Sequence, residues 1–197
     1  NGVAFFVGSM EGPSEAGDIF GGELMFTTSK ELCDEFTTCV GNGASTVNEA
    51  VMKGFTDGIV ALNTASCVEA RNIHTDRILP AMMIPLIQGT IKYASFNENL
   101  PVGTQDASLA IGDSFARAIN PLIDQVLPES AQTIQSQMQF QLTSQPVAGG
   151  FSAVSEAFRE ALTSMTVDCD DIGEFIDEPV DGDLCTTSGP DVPSSPE

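Results

Sequence analysis

The apolar residues of this chain recur at intervals of three and four, and that period restricts its fold more than any other feature does. Val47, Val51, Phe55, Ile59 and Leu62 form one such stripe, behind a capping box of Thr46 with Glu49. Ser66 and Glu69 form a second box, which opens a segment running toward Leu79. Pro80 and Pro85 are expected to break or kink the chain there before residues 87–96 continue it. Leu109, Phe115, Ile119, Leu122, Ile123 and Val126 line a further helix, which Pro121 must bend. Pro128 stands where the next helix can begin, with Ile134, Met138 and Leu142 recurring inside it. Phe151, Val154, Phe158, Leu162 and Met165 complete the set.

Strand signals are weak. Asn42-Gly43 precedes a helical segment and Asp57-Gly58 lies inside one, so neither dipeptide sits between alternating apolar runs. The expected fold is therefore all-α: one bundle-like helical domain over residues 1–167. From Asp168 the character changes. Residues 168–197 hold ten acids, no base and four prolines, which reads as an acidic, Pro-rich tail.

Charge and hydropathy narrow the partners. With 28 acids against 7 bases, the net charge is −21. Such a surface repels phosphate backbones and anionic lipid, which argues against nucleic-acid binding, and it attracts cations. No apolar run approaches the 18 or so residues that a membrane span needs, and two prolines interrupt the apolar patch at 79–87. No membrane insertion by this segment is expected. The chain begins in an apolar stretch at residues 3–7 without a basic flank, and it reads as a mature or excised portion of a longer precursor.

Cys33, Cys39, Cys67, Cys169 and Cys185 lack the paired spacing of a zinc site, and His74 is the one histidine that could assist them. A disulfide framework in an oxidising compartment accounts for them better, which predicts secretion to the cell surface or beyond. Cys33 and Cys39 are expected to close a short local loop, with Cys169 or Cys185 reaching back to the helical body. The odd count leaves one thiol, either free or joined to another chain.

Catalysis finds no support, since the chain has no Gly-x-Ser-x-Gly, phosphate-cradling loop or HExxH. It reads as non-enzymatic.

Three segments, taken together, carry a resemblance. They are Ala4-Phe-Phe-Val-Gly-Ser-Met-Glu-Gly12, Leu32-Cys-Asp-Glu-Phe-Thr-Thr-Cys39 and Ile84-Pro-Leu-Ile-Gln-Gly-Thr-Ile-Lys-Tyr-Ala94. In this order they resemble the repeat of the low-iron- and carbon dioxide-responsive secreted proteins of algae, the group that includes the phytotransferrins. The ending Asp168-Cys-Asp-Asp-Ile-Gly173 is similar to the close of that repeat, so the resemblance covers residues 2–173. It implies capture of Fe3+ at a cell surface with carbonate as synergistic anion.

Ferric ion prefers carboxylate, phenolate and carbonate oxygens and accepts imidazole. Within the resembling segments, Glu11 and Tyr93 are the candidate ligands, with His74 as a third. Lys92 and Arg71 are candidates for holding the anion. The segment here reads Lys-Tyr-Ala-Ser where relatives tend to read Arg-Tyr-Ala-Tyr. With one tyrosine in the chain, a two-phenolate site within one molecule is excluded. An EF-hand register starting at Asp168 puts Pro179 where a bidentate Glu belongs, so only weak, nonspecific Ca2+ association along the tail is expected. The alternative to capture is structural: a subunit of an extracellular assembly reusing the helical body without iron, joined to like or unlike chains through the tail.

Overall fold

The computed structural model describes residues 2–8, 24–41, 43–98, 106–140 and 149–176. Glu11, Leu142 and Cys185 lie outside them. The helices are α1 (Gly2–Val7), α2 (Met25–Glu35), α3 (Thr46–Asn63), α4 (Cys67–Ile73), α5 (Leu79–Glu98), α6 (Asp106–Val126), α7 (Pro128–Met138), α8 (Gly150–Met165) and α9 (Cys169–Ile172). A π-turn, His74–Ile78, joins α4 to α5. Among the described residues, strand-like pairing is confined to one bridge between Cys39 and Ser45. The fold is all-α, as the apolar period requires, and no helix among these residues is long and apolar enough to cross a membrane.

Helix α5 is the hub. Ile87, Ile91 and Ala94 are almost fully buried, and α5 packs against α2, α3, α6, α8 and α9. Each buried isoleucine contributes roughly 1.5–3 kcal/mol of apolar burial. Two glycines set how closely α5 and α6 approach. A Cβ on Gly89 would lie 2.5 Å from the Phe115 ring, and one on Gly112 would lie 2.9 Å from Tyr93 Cβ. Helices α7 and α8 close the bundle with Ile134, Met138, Val154 and Phe158, which match their expected stripes. Pro128 opens α7 at its first turn, where its missing N–H is no loss.

Several local features differ from the sequence expectations. The cap of α3 is Ser45, one residue earlier than Thr46, and its side chain accepts from the Asn48 N–H. The stripe on α3 holds only in its first half, since Val47 and Val51 are buried whereas Ile59 and Leu62 face solvent. Ser66 caps α4 in position but makes no capping hydrogen bond with its side chain. Pro80 and Pro85 do not break the chain, and α5 runs through Pro85. The π-turn lies immediately before Pro80, and its widened i→i−5 bond, Leu79 N–H to the His74 carbonyl, precedes the ring that would otherwise meet the carbonyl four residues back.

Among the described residues, packing runs on past the change in composition at residue 168. Ile172 is fully buried, the Phe175 ring stacks on Phe36 at 4.9 Å, and the Ile176 N–H donates to the Glu35 carbonyl. The packed body thus continues through residue 176.

The Cys33–Cys39 disulfide forms as expected. Cys169 is also disulfide-bonded. Since Cys33 and Cys39 pair with each other and Cys67 is a free thiol, Cys169 is not strapped to these cysteines of the helical body. Non-covalent contacts hold the 168–176 segment instead.

Candidate functional site

Of the sequence-level ligands, His74 and Tyr93 do not converge. His74 and Tyr93 lie on one continuous helical run through α5, and at about 1.5 Å per residue they are roughly 28 Å apart. Tyr93 is half-buried, with its ring stacked on Phe115 at 6.0 Å between centroids. Lys92 Nζ pairs with Glu35 Oε1 at 2.7 Å and lies 5.6 Å from the Tyr93 ring centre. Lys92 and Tyr93 are therefore neighbours, and the lysine is already engaged. His74 and Arg71 are both exposed, three residues apart at the junction of α4 with the π-turn. Glu11 lies outside the described residues.

Cys33, Asp34 and Cys39 bring donor atoms within 4.8 Å of one another. Both sulfurs are consumed by the disulfide, so the group has no thiolate to offer. Asp34 Oδ1 lies 3.1 Å from Cys39 Sγ, a contact without a proton, since an oxidised sulfur has none to donate.

A different place brings opposite charges together. Helices α3 and α5, the π-turn and the α8–α9 junction enclose a groove of about 440 Å3, within the range of small-ligand sites. Val47, Ala81, Ile84 and Val167 provide apolar lining, and Lys53, Asp76, Arg77, Asp168 and Asp171 provide charged groups. Local structure explains the placement. Gly54 on α3 lets Ile78 come close, since a Cβ there would lie 2.6 Å from Ile78 Cγ1. That contact seats the π-turn against α3 and sets Arg77 beside Asp57. Comparison with protein-family models, curated proteins and solved structures finds no match to this chain.

The cations of the groove are ordered by one acceptor. Asp57 Oδ2 receives Lys53 Nζ at 2.7 Å and Arg77 Nη1 at 2.8 Å. The Lys53 hydrogen bond, and then that of Arg77, hold the Asp57 carboxyl below its usual range. One carboxylate thus orients two cations and leaves them with net positive charge. Lysine has three donors and arginine five, so an oxyanion in the groove would find donors to spare.

Of the acids, Asp76 sits on the π-turn next to Arg77, and Asp168 and Asp171 come from the α8–α9 junction. Partial desolvation raises the carboxyl of Asp171, an exposed residue, above the usual aspartate range, and the neighbouring charges of Asp168 and Asp170 raise it further. Asp76 accepts a hydrogen bond from the Thr75 hydroxyl at 2.7 Å. The groove therefore offers hard oxygen donors that gain from a cation, beside cations that gain from an anion. Of these residues, the sequence analysis named Asp168, as the start of the acidic ending. It had no signal for Arg77 with Asp57, because that pairing depends on the π-turn.

Proposed function

We propose that the chain is a non-enzymatic, secreted binding module that captures a hard metal ion together with a small oxyanion. Ferric iron with carbonate is the pair implied by the resemblance to the phytotransferrin group. The observation that carries this reading is the groove: carboxylates of Asp76, Asp168 and Asp171 beside the Lys53 and Arg77 cations. A synergistic anion needs both kinds of group within reach of one ion. Carboxylate and carbonate oxygens suit Fe3+. Tyr93, a ligand implied by the resemblance, is a competing location for the same chemistry.

The test is a titration of purified chain with ferric nitrilotriacetate, with and without bicarbonate, followed by calorimetry and visible absorbance. Bicarbonate-dependent binding is expected, and it should weaken in R77M and D171N. At ligand one hundred times its Kd, the unfolding free energy should rise by about 2.7 kcal/mol. Loss of a visible phenolate band in Y93F, with R77M unaffected, would move the site to Tyr93. Binding that ignores bicarbonate, or no binding, would overturn the reading.

A further inference from the structure

The second half of α3 and the start of α4 expose a run of aliphatic side chains. Ile59, Val60, Leu62 and Val68 are 55%, 58%, 61% and 65% exposed. The exposed thiol of Cys67 lies among them in sequence, at the first turn of α4. Residues 58–68 carry no charged side chain, although the chain as a whole has a net charge of −21. Aliphatic side chains this exposed, concentrated in one uncharged corner, are what a protein contact surface leaves behind when its partner is absent.

We infer that this corner is a self-association surface, on which a second copy of the chain docks about a two-fold axis and is locked by a Cys67–Cys67 disulfide. Three observations point to a copy rather than to another partner. First, the chain is strongly acidic and two copies repel over most of their surface; at this corner they do not. Second, the four side chains and the thiol amount to roughly half of the about 800 Å2 per partner that a stable non-covalent interface buries. Docking there is weak by itself, and a covalent bond makes up the deficit by turning the contact intramolecular. Third, a two-fold contact places each patch on its own equivalent, so the thiol of one copy meets the thiol of the other. Glu69 and Arg71, of opposite sign, follow the patch along α4, and such a contact can bring them together across the axis.

Cys33, Cys39 and Cys169 are oxidised, and a compartment that supports those bonds would support one at Cys67. The step needs an oxidant, and a small-molecule disulfide such as oxidised glutathione serves. One Cys67 sulfur attacks it, forming a mixed disulfide and releasing one small thiol. The Cys67 sulfur of the second copy then displaces the other small thiol. Two electrons pass from the pair of Cys67 thiols to the oxidant, and their two protons end on the released thiols. This inference does not depend on the capture reading.

The experiment incubates the full chain in a glutathione redox buffer and follows it by non-reducing electrophoresis, light scattering and peptide mapping. The parent chain should become a dimer of twice the mass, cross-linked through the Cys67 peptide, and C67S should stay monomeric. L62E and V68E keep the thiol, and because both side chains are exposed they should fold as the parent does. Each should form dimer at least about tenfold more slowly, since like charges would face each other across the axis. A parent chain that ends as monomer, with Cys67 free or capped by glutathione, overturns the inference. So does a dimer that forms as fast in L62E and V68E as in the parent, because the thiol would then be reacting without the patch.

Discussion

Gln88 Nε2 donates to the Ile172 carbonyl over 2.7 Å, joining the middle of α5 to the last helix across 84 positions of chain. Both residues are buried, Gln88 at 1% exposed, and the Gln88 Oε1 has no partner. This bond helps hold the 168–176 segment to the body. Leucine at position 88 removes the donor, keeps most of the volume and leaves the Ile172 carbonyl buried without a partner. Q88L should therefore lose at most about 1–3 kcal/mol, the cost of an orphaned buried acceptor less what removing the unpartnered Oε1 returns. Urea denaturation measures the loss. Amide exchange should show residues 169–176 opening more readily than α8.

Gly173 closes the same junction. Its φ of +78° with ψ of −178° lies in backbone space that side-chain-bearing residues avoid, and a Cβ there would sit 2.0 Å from the Phe36 carbonyl oxygen. Backbone strain alone costs roughly 1–3 kcal/mol. The obstacle is backbone, so no side chain can swing aside to relieve it. G173A should be destabilised by at least about 3 kcal/mol, with the Phe36–Phe175 stack lost. Wild-type stability in G173A, measured by the same denaturation, would show that the α9 junction can be displaced at little cost.

How much of this was legible in the sequence depends on whether the determining contacts are local. Pro128, Phe158 and Val154 announce their helices, because periodicity and a proline at the first turn are properties of neighbouring residues. Ser45 and Thr46 are adjacent and both good caps, so the one-residue shift was not decidable from composition. The exposure of Ile59 and Leu62 was hidden because the stripe continues past the point where another helix covers it. The π-turn leaves no apolar signature, and the groove that depends on it was therefore invisible. Tyr93, read as a candidate ligand, is a half-buried aromatic of α5. Its distance from His74 follows only once α4 and α5 are known to be nearly continuous.

Among the described residues, three helices end at a residue with positive φ that is not glycine: Thr37 at +55°, Ala65 at +57° and Thr166 at +58°. At the second of these, the Ser66 N–H donates to the Ala61 carbonyl and the Ala65 N–H to that of Leu62. The left-handed conformation costs a residue with a Cβ about 1–2 kcal/mol. Glycine escapes that cost but loses about 0.4–1 kcal/mol to the greater freedom of its unfolded chain. The first effect is the larger, so A65G should gain roughly 0.5–1 kcal/mol. The check is a higher urea midpoint with an unchanged slope; a lower midpoint would mean that Ala65 is not held in this conformation.

The disulfide between Cys33 and Cys39 closes a loop over a sequence separation of 6. In the chain-entropy account so short a loop contributes only about 2 kcal/mol. The C33S/C39S pair should therefore remain folded, less stable by about that amount, with circular dichroism still helical. A chain that fails to fold would show that the bridge does more than restrict the unfolded state.

Asp171 and Asp57 make the groove's electrostatics measurable, because their carboxyls are shifted in opposite directions. Partial desolvation, then Asp168 and Asp170, raise Asp171, so the folded chain holds that proton more tightly than the unfolded chain does. Relative to a neutral side chain, the Asp171 contribution is fully present below the usual aspartate value of about 3.9 and is lost as pH rises through the raised value. D171N should consequently be more stable than the parent at neutral pH, and the difference should vanish on acidification below about pH 4. Asp57 behaves in the reverse sense. Lys53 and then Arg77 lower its carboxyl, so its contribution is present above the usual range and disappears as pH falls through the lowered value. D57N should lose stability at neutral pH, by a small amount given how exposed the ion pairs are. Denaturation midpoints of the parent and both variants across this range should diverge in opposite directions at neutral pH and converge in acid. If D171N matches the parent throughout, the acids of the groove do not oppose one another, and a captured cation would have no strain there to relieve.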